Sequence, residues 1–220
     1  MKLIIFDLDG VLLDSEPLYM TMNQKFFKTL GAEISEEVYH TFVGISATTM
    51  WANIKAKAHL SQSVEELKGL EKELKYKTLN ETQLVPTEGV VELLEKLKAG
   101  QNTMAIASSG LRKNIDLILN KLNVTQYFDL IVSGEDVLKG KPEPDIFLKV
   151  SDHFGRKPED SVVIEDSKNG VLAAKAAGMT CLAYFNPHSG NQDLTKADFV
   201  FDHFKDPKLY EWLGFPNKRV

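Results

Sequence analysis

From Pro86 onward the apolar positions alternate between a helical and a strand-like period. "VVELLEKLKAG" (90–100) has helical spacing and closes on a glycine, while "TMAIAS" (103–108) is a short buried-strand run. "LRKNIDLILNKL" (111–122) predicts an amphipathic helix, "FDLIVS" (128–133) a strand and "EPDIFLKVSDHFG" (143–155) a helix ended by glycine. "SVVIED" (161–166) predicts a strand, "SKNGVLAAKAAG" (167–178) a helix and "TCLAYF" (180–185) a strand, with "ADFVF" (197–201) as a short edge strand. Strands separated by helices of this length imply right-handed βαβ units and a mostly parallel sheet covered on both faces. "KLIIFD" (2–7) adds a further buried strand to it.

Residues 17 to about 84 break that alternation. "PLYMTMNQKFFKTLG" opens with a proline suited to a first helical turn and stops at Gly31. "SEEVYHTFVG", "TTMWANIKAKAHL" and "SVEELKGLEKELKYKTLNE" continue as helical patterns without a convincing strand. The expectation is an α/β, Rossmann-like core from 1–15 and 86–220, interrupted by a helical cap domain at 16–85, with the sheet resuming near "LVPTEG".

Composition narrows the class. The chain has 220 residues, 43% hydrophobic and 26% charged, ordinary for a soluble globular protein. A formal charge of −5 with no basic stripe argues against nucleic acid. The sole cysteine, Cys181, excludes an intramolecular disulfide and fits a reducing interior. "MKLIIF" is too short an apolar run for a signal peptide, and no apolar stretch reaches about 18 residues. The expected location is therefore the cytoplasm, with no membrane association and a monomeric state.

Ligands of open α/β sheets sit beyond the carboxyl ends of the strands. The first strand delivers Asp7 and, two residues on, Asp9, both to one side if the extended period persists. "AIASSG" delivers Ser108 and Ser109, "VVIED" delivers Glu165 and Asp166, and "LKGKPEP" delivers Lys141 before a helix. Taken singly, each has an ordinary structural reading. An aspartate after a strand is usually a turn or cap residue, Ser108 could cap the helix near Leu111, and Lys141 could be a solvated loop lysine. Asp14 and Ser15 keep the capping reading, ahead of the helix entered at Pro17. Several independent caps would not converge in type and place, so the combination points to a site.

Carboxylates gathered at one rim raise one another's pKa and call for a hard divalent cation. Mg²⁺ binds through few carboxylates plus waters and a substrate phosphate. With that charge partly neutralised, Asp7 can attack phosphorus and carry an aspartyl-phosphate. Asp9 is placed to protonate the leaving oxygen and later deprotonate an incoming one. The Ser108 hydroxyl, nearby N–H groups and a helix N-terminus can hold phosphate oxygens, and Lys141 supplies positive charge.

"FDLDGVLLDSEP", "IASSG", "KPEPDIF" and "IEDSKNG", in that order, resemble the haloacid-dehalogenase-like superfamily. More narrowly, they resemble its branch of small phosphatases and β-phosphoglucomutases with a helical cap after the first strand. The resemblance implies Asp7 as nucleophile, Asp9 as acid/base, and Ser108 and Lys141 as phosphate-binding groups. It implies Mg²⁺ held by Asp7, the Asp9 carbonyl and Asp166, with Glu165 close by or acting through water. It also implies a cap that closes over the site and selects a small phosphorylated substrate.

Two departures weigh against a phosphohexomutase of the β-phosphoglucomutase type. Such mutases place a histidine where this chain has Tyr19, and an arginine within the segment matching "VGISATTMW"; here no arginine precedes Arg112. Asp9 itself argues against carbon–halogen cleavage, since true dehalogenases lack that second aspartate. A signalling receiver domain would be shorter, uncapped, and would carry its acceptor on a middle strand. Gly110 and Arg112 lie where relatives contact phosphate, though Arg112 also suits a surface helix. Tyr19, Met22, Ser46, Thr48 and Trp51 could line a closing site, but burial preferences favour packing within the cap. The cap lysines Lys55, Lys57, Lys68, Lys72, Lys75 and Lys77 crowd polar helical stretches and read as solvated faces.

Overall fold

The computed structural model describes residues 2–42 and 45–215; Val43 and Gly44 of the "SEEVYHTFVG" segment and the last five residues lie outside the description. Among the described residues, six strands form one sheet in the order β3-β2-β1-β4-β5-β6. They are β1 (Leu3–Phe6), β2 (Thr103–Ser108), β3 (Leu130–Ser133), β4 (Ser161–Glu165), β5 (Thr180–Tyr184) and β6 (Phe199–Phe201), every neighbouring pair parallel. The α/β class expected from the alternation is the one observed.

Burial follows the period of two. Ile4 and Phe6 of β1 enter one core with Met104 and Ile106 of β2; Leu3 and Ile5 enter the other with Ala105 and Ala107. The first core is covered by α5 (Val90–Ala99), α6 (Arg112–Lys121) and α9 (Pro207–Trp212), the second by α7 (Asp145–His153) and α8 (Lys168–Ala176). Every residue of β1 is fully buried. Each such side chain contributes about 1.5–3 kcal/mol by leaving water, so a charge at Ile5 would break the fold. Helix α9 is the element that the hydrophobic pattern does not single out. It is short and begins at Asp206-Pro207, with Asp206 accepting a 2.8 Å bond from the Lys208 N–H.

The strand order reverses at β1, with β2 and β3 on one side and β4 to β6 on the other. In open parallel sheets that reversal opens a crevice beyond the carboxyl ends of the central strands.

The chain between β1 and α5 forms α1 (Glu16–Thr29), α2 (Glu36–His40), α3 (Ala47–Ala58) and α4 (Val64–Glu81). Serines start three of them: Ser35 accepts from Val38 N–H, Ser46 from Thr49 N–H, and Ser63 forms a capping box with Glu66. These helices enclose a separate apolar core around Phe27, Trp51, Ile54 and Leu67, with Trp51 Nε1 donating to Glu71 Oε2 at 2.6 Å. Met22 and Trp51 are buried packing residues, as burial preference favoured, while Thr48 is exposed. The "LVPTEG" segment forms no strand; Thr87 N–H donates to the Leu12 carbonyl at 2.9 Å, and the sheet resumes at Thr103. From α6, Lys121 Nζ donates to the carbonyls of Leu79, Asn80 and Thr82 at 2.8, 2.5 and 2.8 Å. That ammonium satisfies carbonyls that the end of α4 would otherwise leave open.

Candidate active site

Asp7 is the first residue past β1, and its N–H still donates to the Ile164 carbonyl of β4 at 2.9 Å. Its side chain meets Lys141 from the loop before α7. Lys141 Nζ, almost fully buried, donates to Asp7 Oδ1 at 2.6 Å, Glu165 Oε1 at 2.7 Å and the Ala107 carbonyl at 3.0 Å. Three strand ends are thus tied through one ammonium, and all three of its protons are used. Burial opposes the charge on Lys141, but Asp7 and Glu165 overcome it and hold the ammonium above its ordinary value.

Burial pushes the Asp7 carboxyl up to about 7 from 3.8; Lys141 opposes that rise, and Glu165 and Asp9 add to it. Asp166 is raised well above the usual carboxylate range, first by burial and then by Glu165 and Asp7. Its Oδ2 accepts a 2.5 Å bond from Ser189 Oγ. The approach of Asp166 depends on Gly10: a Cβ there would collide with the Asp166 carboxylate, and φ of +81° is itself suited to glycine.

Glu165 is placed differently. Its Oε2 accepts from the Asp166 and Ser167 N–H groups at 2.8 and 2.7 Å and from Ser167 Oγ at 2.9 Å, leaving Oε1 for Lys141. Three bonds engage Oε2, while Oε1 accepts one, from Lys141. Among the described residues, no three His, Cys, Asp or Glu side chains gather as a closed metal cluster. Two carboxylates and a backbone carbonyl still suit Mg²⁺, which keeps several waters and takes substrate oxygens. The raised pKa values of Asp7 and Asp166 are the physical sign that a nearby cation would be favourable.

Asp9 does not continue the strand period. The backbone turns at residues 8–13, with Gly10 N–H donating to the Leu13 carbonyl at 2.7 Å. The Asp9 carboxylate accepts from Tyr19 Oη at 2.8 Å and lies 4.0 Å from Lys75 Nζ. Lys75 stands 3.7 Å from the Tyr19 ring centroid, which corrects its reading as a solvated-face lysine. Tyr19, expected as packing, is buried and also touches the site.

Ser108 is buried and its Oγ accepts from Gly110 N–H at 3.1 Å, while α6 begins only at Arg112 and has no side-chain cap. Ser109 is exposed but borders the same cavity, of about 180 Å³, with Asp7, Asp9, Ser108 and Lys141. Arg112 is turned away, its Nε 3.0 Å from Asp116 Oδ1. Ser15 stands at the N-cap of α1 but makes no capping bond. Asp14 is 2.6 Å from His188 Nδ1 and accepts from Asn186 Nδ2 at 3.2 Å instead of capping.

The segment after β5, residues 186–192, was missed by sequence reasoning. It supplies Ser189 to Asp166 and Asn186 to the Gly10 carbonyl at 3.0 Å, and Gln192 also borders the cavity. Its signal was positional: "NPHSGNQ" follows a strand whose carboxyl end faces the same rim.

An acidic cradle at the reversal point of a parallel sheet, bridged by a buried lysine and overlain by helices, defines a hydrolase of the phosphoryl-transfer kind. Residues 4–184 match the family model of haloacid dehalogenase-like hydrolases. A phosphorylated carbohydrates phosphatase of Thermotoga maritima is 35% identical over 179 residues, covering 81% of this chain and 82% of its own. Validoxylamine A 7'-phosphate phosphatase of Streptomyces hygroscopicus subsp. limoneus is 29% identical over 212 residues, 96% of each chain. Among solved structures, a predicted phosphoglycolate phosphatase from Haemophilus somnus superposes with a TM-score of 0.82 at 25% identity, covering 96% of this chain and 98% of that one. The chain belongs to the haloacid dehalogenase-like hydrolases, and within them it is a phosphatase. No helix among the described residues is long and apolar enough to cross a membrane.

Proposed function

We propose that the chain hydrolyses a small phosphomonoester, with a sugar phosphate as a fitting substrate, through an aspartyl-phosphate on Asp7 and with Mg²⁺ as cofactor. The observation that carries this reading is the Lys141 bridge. A buried ammonium 2.6 Å from Asp7 Oδ1 holds that oxygen and leaves the other free to approach phosphorus. Asp7, Asp166 and the Asp9 carbonyl would hold Mg²⁺, which when bound supplies charge neutralisation and orients the phosphoryl group. The Ser108 hydroxyl and Ser109 bind the phosphoryl oxygens, and the Lys141 charge, its protons held by Asp7, Glu165 and the Ala107 carbonyl, offsets the charge that moves onto them. Asp9 protonates the leaving alcohol oxygen and then takes a proton from the water that cleaves the Asp7 ester. Residues 16–85 act as the cap, excluding bulk water when they lie over the site.

The Thermotoga maritima relative is named a phosphorylated carbohydrates phosphatase, which supports a hydroxylated substrate. The phosphohexomutase alternative lacks its distal-phosphate grip: residues 16–85 contain no arginine, and the cap lysine that reaches the site is engaged with Asp9 and Tyr19. Phosphate release from a panel of phosphorylated metabolites, with Mg²⁺ and with EDTA, tests the proposal. Absence of Mg²⁺-dependent release from every ester, p-nitrophenyl phosphate included, would overturn it.

A further inference from the structure

Of the carboxylates that border the 180 Å³ cavity, Glu16 is the one to which the chemistry above assigns nothing. It sits in the first turn of α1, where an acidic residue is favoured by the helix dipole. That alone would leave it facing water, yet it is half-buried and lines the cavity wall. Among the described residues its side chain accepts no hydrogen bond and forms no ion pair. The two cations of the neighbourhood are committed elsewhere: Lys141 to Asp7 and Glu165, Lys75 to Asp9 and the Tyr19 ring. Burial, with Asp9 and Asp14 adding, lifts the Glu16 carboxyl to about 7 while Lys75 opposes, so its charge is poorly compensated by the protein.

The cavity continues into a second of about 540 Å³, the two sharing Ser109, Lys141, Ser167 and Gln192. Asn169 and Asn191 extend its lining, so it is rich in amides and hydroxyls. Lys168, its additional cation, is exposed, where water screens it. A leaving group that extends from the first cavity toward the second passes Glu16, an under-partnered carboxylate of the first, and reaches the amides and hydroxyls of the second.

Resting on the phosphatase reading, we propose that Glu16 is a specificity residue that accepts a hydrogen bond from a hydroxyl of the leaving alcohol and repels a second anion. The site then takes monophosphates of neutral hydroxylated alcohols and discriminates against esters whose alcohol carries a carboxylate or another phosphate. An unpaired carboxylate facing an anion is a negative element of this kind.

A near-isosteric pair tests it at pH 8, where Glu16 is ionised: 2-hydroxyethyl phosphate against 2-phosphoglycolate, with p-nitrophenyl phosphate as reference. The wild type should favour the hydroxyethyl ester by about tenfold or more in kcat/KM, less than the full rejection of a mismatched buried polar group because Glu16 is only half-buried. Glu16→Gln, which keeps an acceptor but removes the charge, should bring that ratio toward one. Glu16→Ala should also lower the hydroxyethyl ester relative to p-nitrophenyl phosphate. Both ratios are internal to each protein preparation, so partial misfolding cancels. A wild type without preference, or a preference unchanged in Glu16→Gln, overturns the specificity role alone. No release from any of the three esters overturns the phosphatase reading, and this inference with it.

Discussion

Tyr19 Oη donates a 2.8 Å hydrogen bond to Asp9 Oδ1, so the proposed acid/base is held by a residue of α1 and not by its own loop. Lys75 of α4, over the Tyr19 ring, completes a contact that joins two helices of the cap to the loop after β1. The position of the cap and the aim of the Asp9 carboxylate are therefore coupled. Tyr19→Phe keeps the ring under Lys75 and deletes the bond alone. It should lower kcat several-fold, with a larger loss for alkyl phosphates than for p-nitrophenyl phosphate. Equal losses for both would show that the bond does not serve the acid.

Asp9→Asn removes the proton-carrying group itself. Turnover of alkyl phosphates should fall by ~10²–10⁴, the usual reach of general acid–base catalysis. Formation of the phosphoenzyme from p-nitrophenyl phosphate, whose leaving group needs no proton, should suffer less in rapid-quench measurements. An identical penalty on that step for both esters would reduce Asp9 to an orienting role.

The strands, and the convergence of the four candidate-site motifs on one cavity, were legible because both depend on local order: buried runs end at one rim of the sheet. Asp7, Ser108, Lys141 and Asp166 follow from that geometry. Asp9 was legible in kind but not in direction, because the strand period stops at Phe6 and Gly10 turns the chain. Lys75 was not legible. Its neighbours Glu73 and Lys77 are solvated, and the face it shares with Tyr19 exists only once α4 packs on α1. The 186–192 segment has no regular period, and its partners, Asp166 and Gly10, lie far away in sequence. Such contacts are set by tertiary packing, which hydrophobic periodicity does not encode.

Asp7→Asn should abolish turnover, since it removes the proposed nucleophile and a proposed metal ligand together, while circular dichroism stays native. The same variant tests the electrostatics. Asp7 titrates near 7 in the folded, metal-free protein against 3.8 when unperturbed. A folded-state value raised in this way contributes stability that is present below the unfolded value and lost as pH rises through about 7. Metal-free wild type should therefore lose thermal stability from this source between pH 4 and pH 8, and Mg²⁺ should restore more at pH 8 than at pH 5. Asp7→Asn should weaken both trends, leaving the parts that Asp166 and Glu16 contribute. A Tm of the metal-free wild type that ignores both pH and Mg²⁺ would contradict the burial of that carboxylate.

Lys121 anchors the return crossing between cap and core through three carbonyls at the end of α4. Lys121→Met keeps much of the stem and deletes the donors. Hydrogen bonds from a charged group contribute about 1.5–3 kcal/mol each at most, and these share one ammonium, so a loss of about 1–3 kcal/mol in urea unfolding is expected. Because α4 also carries Lys75, kcat/KM should fall as well. Unchanged stability and activity would mean that the crossing is held by apolar packing alone.

The choice between phosphatase and phosphohexomutase turns on what the cap can grip. A mutase must keep water from the phosphorylated aspartate while a bisphosphate turns around, and so must hold a second phosphate away from Asp7. Arginine suits that task through its bidentate fork, and none lies between residues 16 and 85. Lys75 is the cap cation facing the reactive loop, but it is engaged 3.7 Å above the Tyr19 ring and near Asp9. Glu16, on the same wall, would oppose a second anion. Water should therefore win the competition for the phosphoenzyme. With β-glucose 1-phosphate and catalytic glucose 1,6-bisphosphate, inorganic phosphate release should exceed formation of glucose 6-phosphate. Isomerisation stimulated by the bisphosphate and faster than phosphate release would reverse the assignment, and would require a distal-phosphate grip other than arginine.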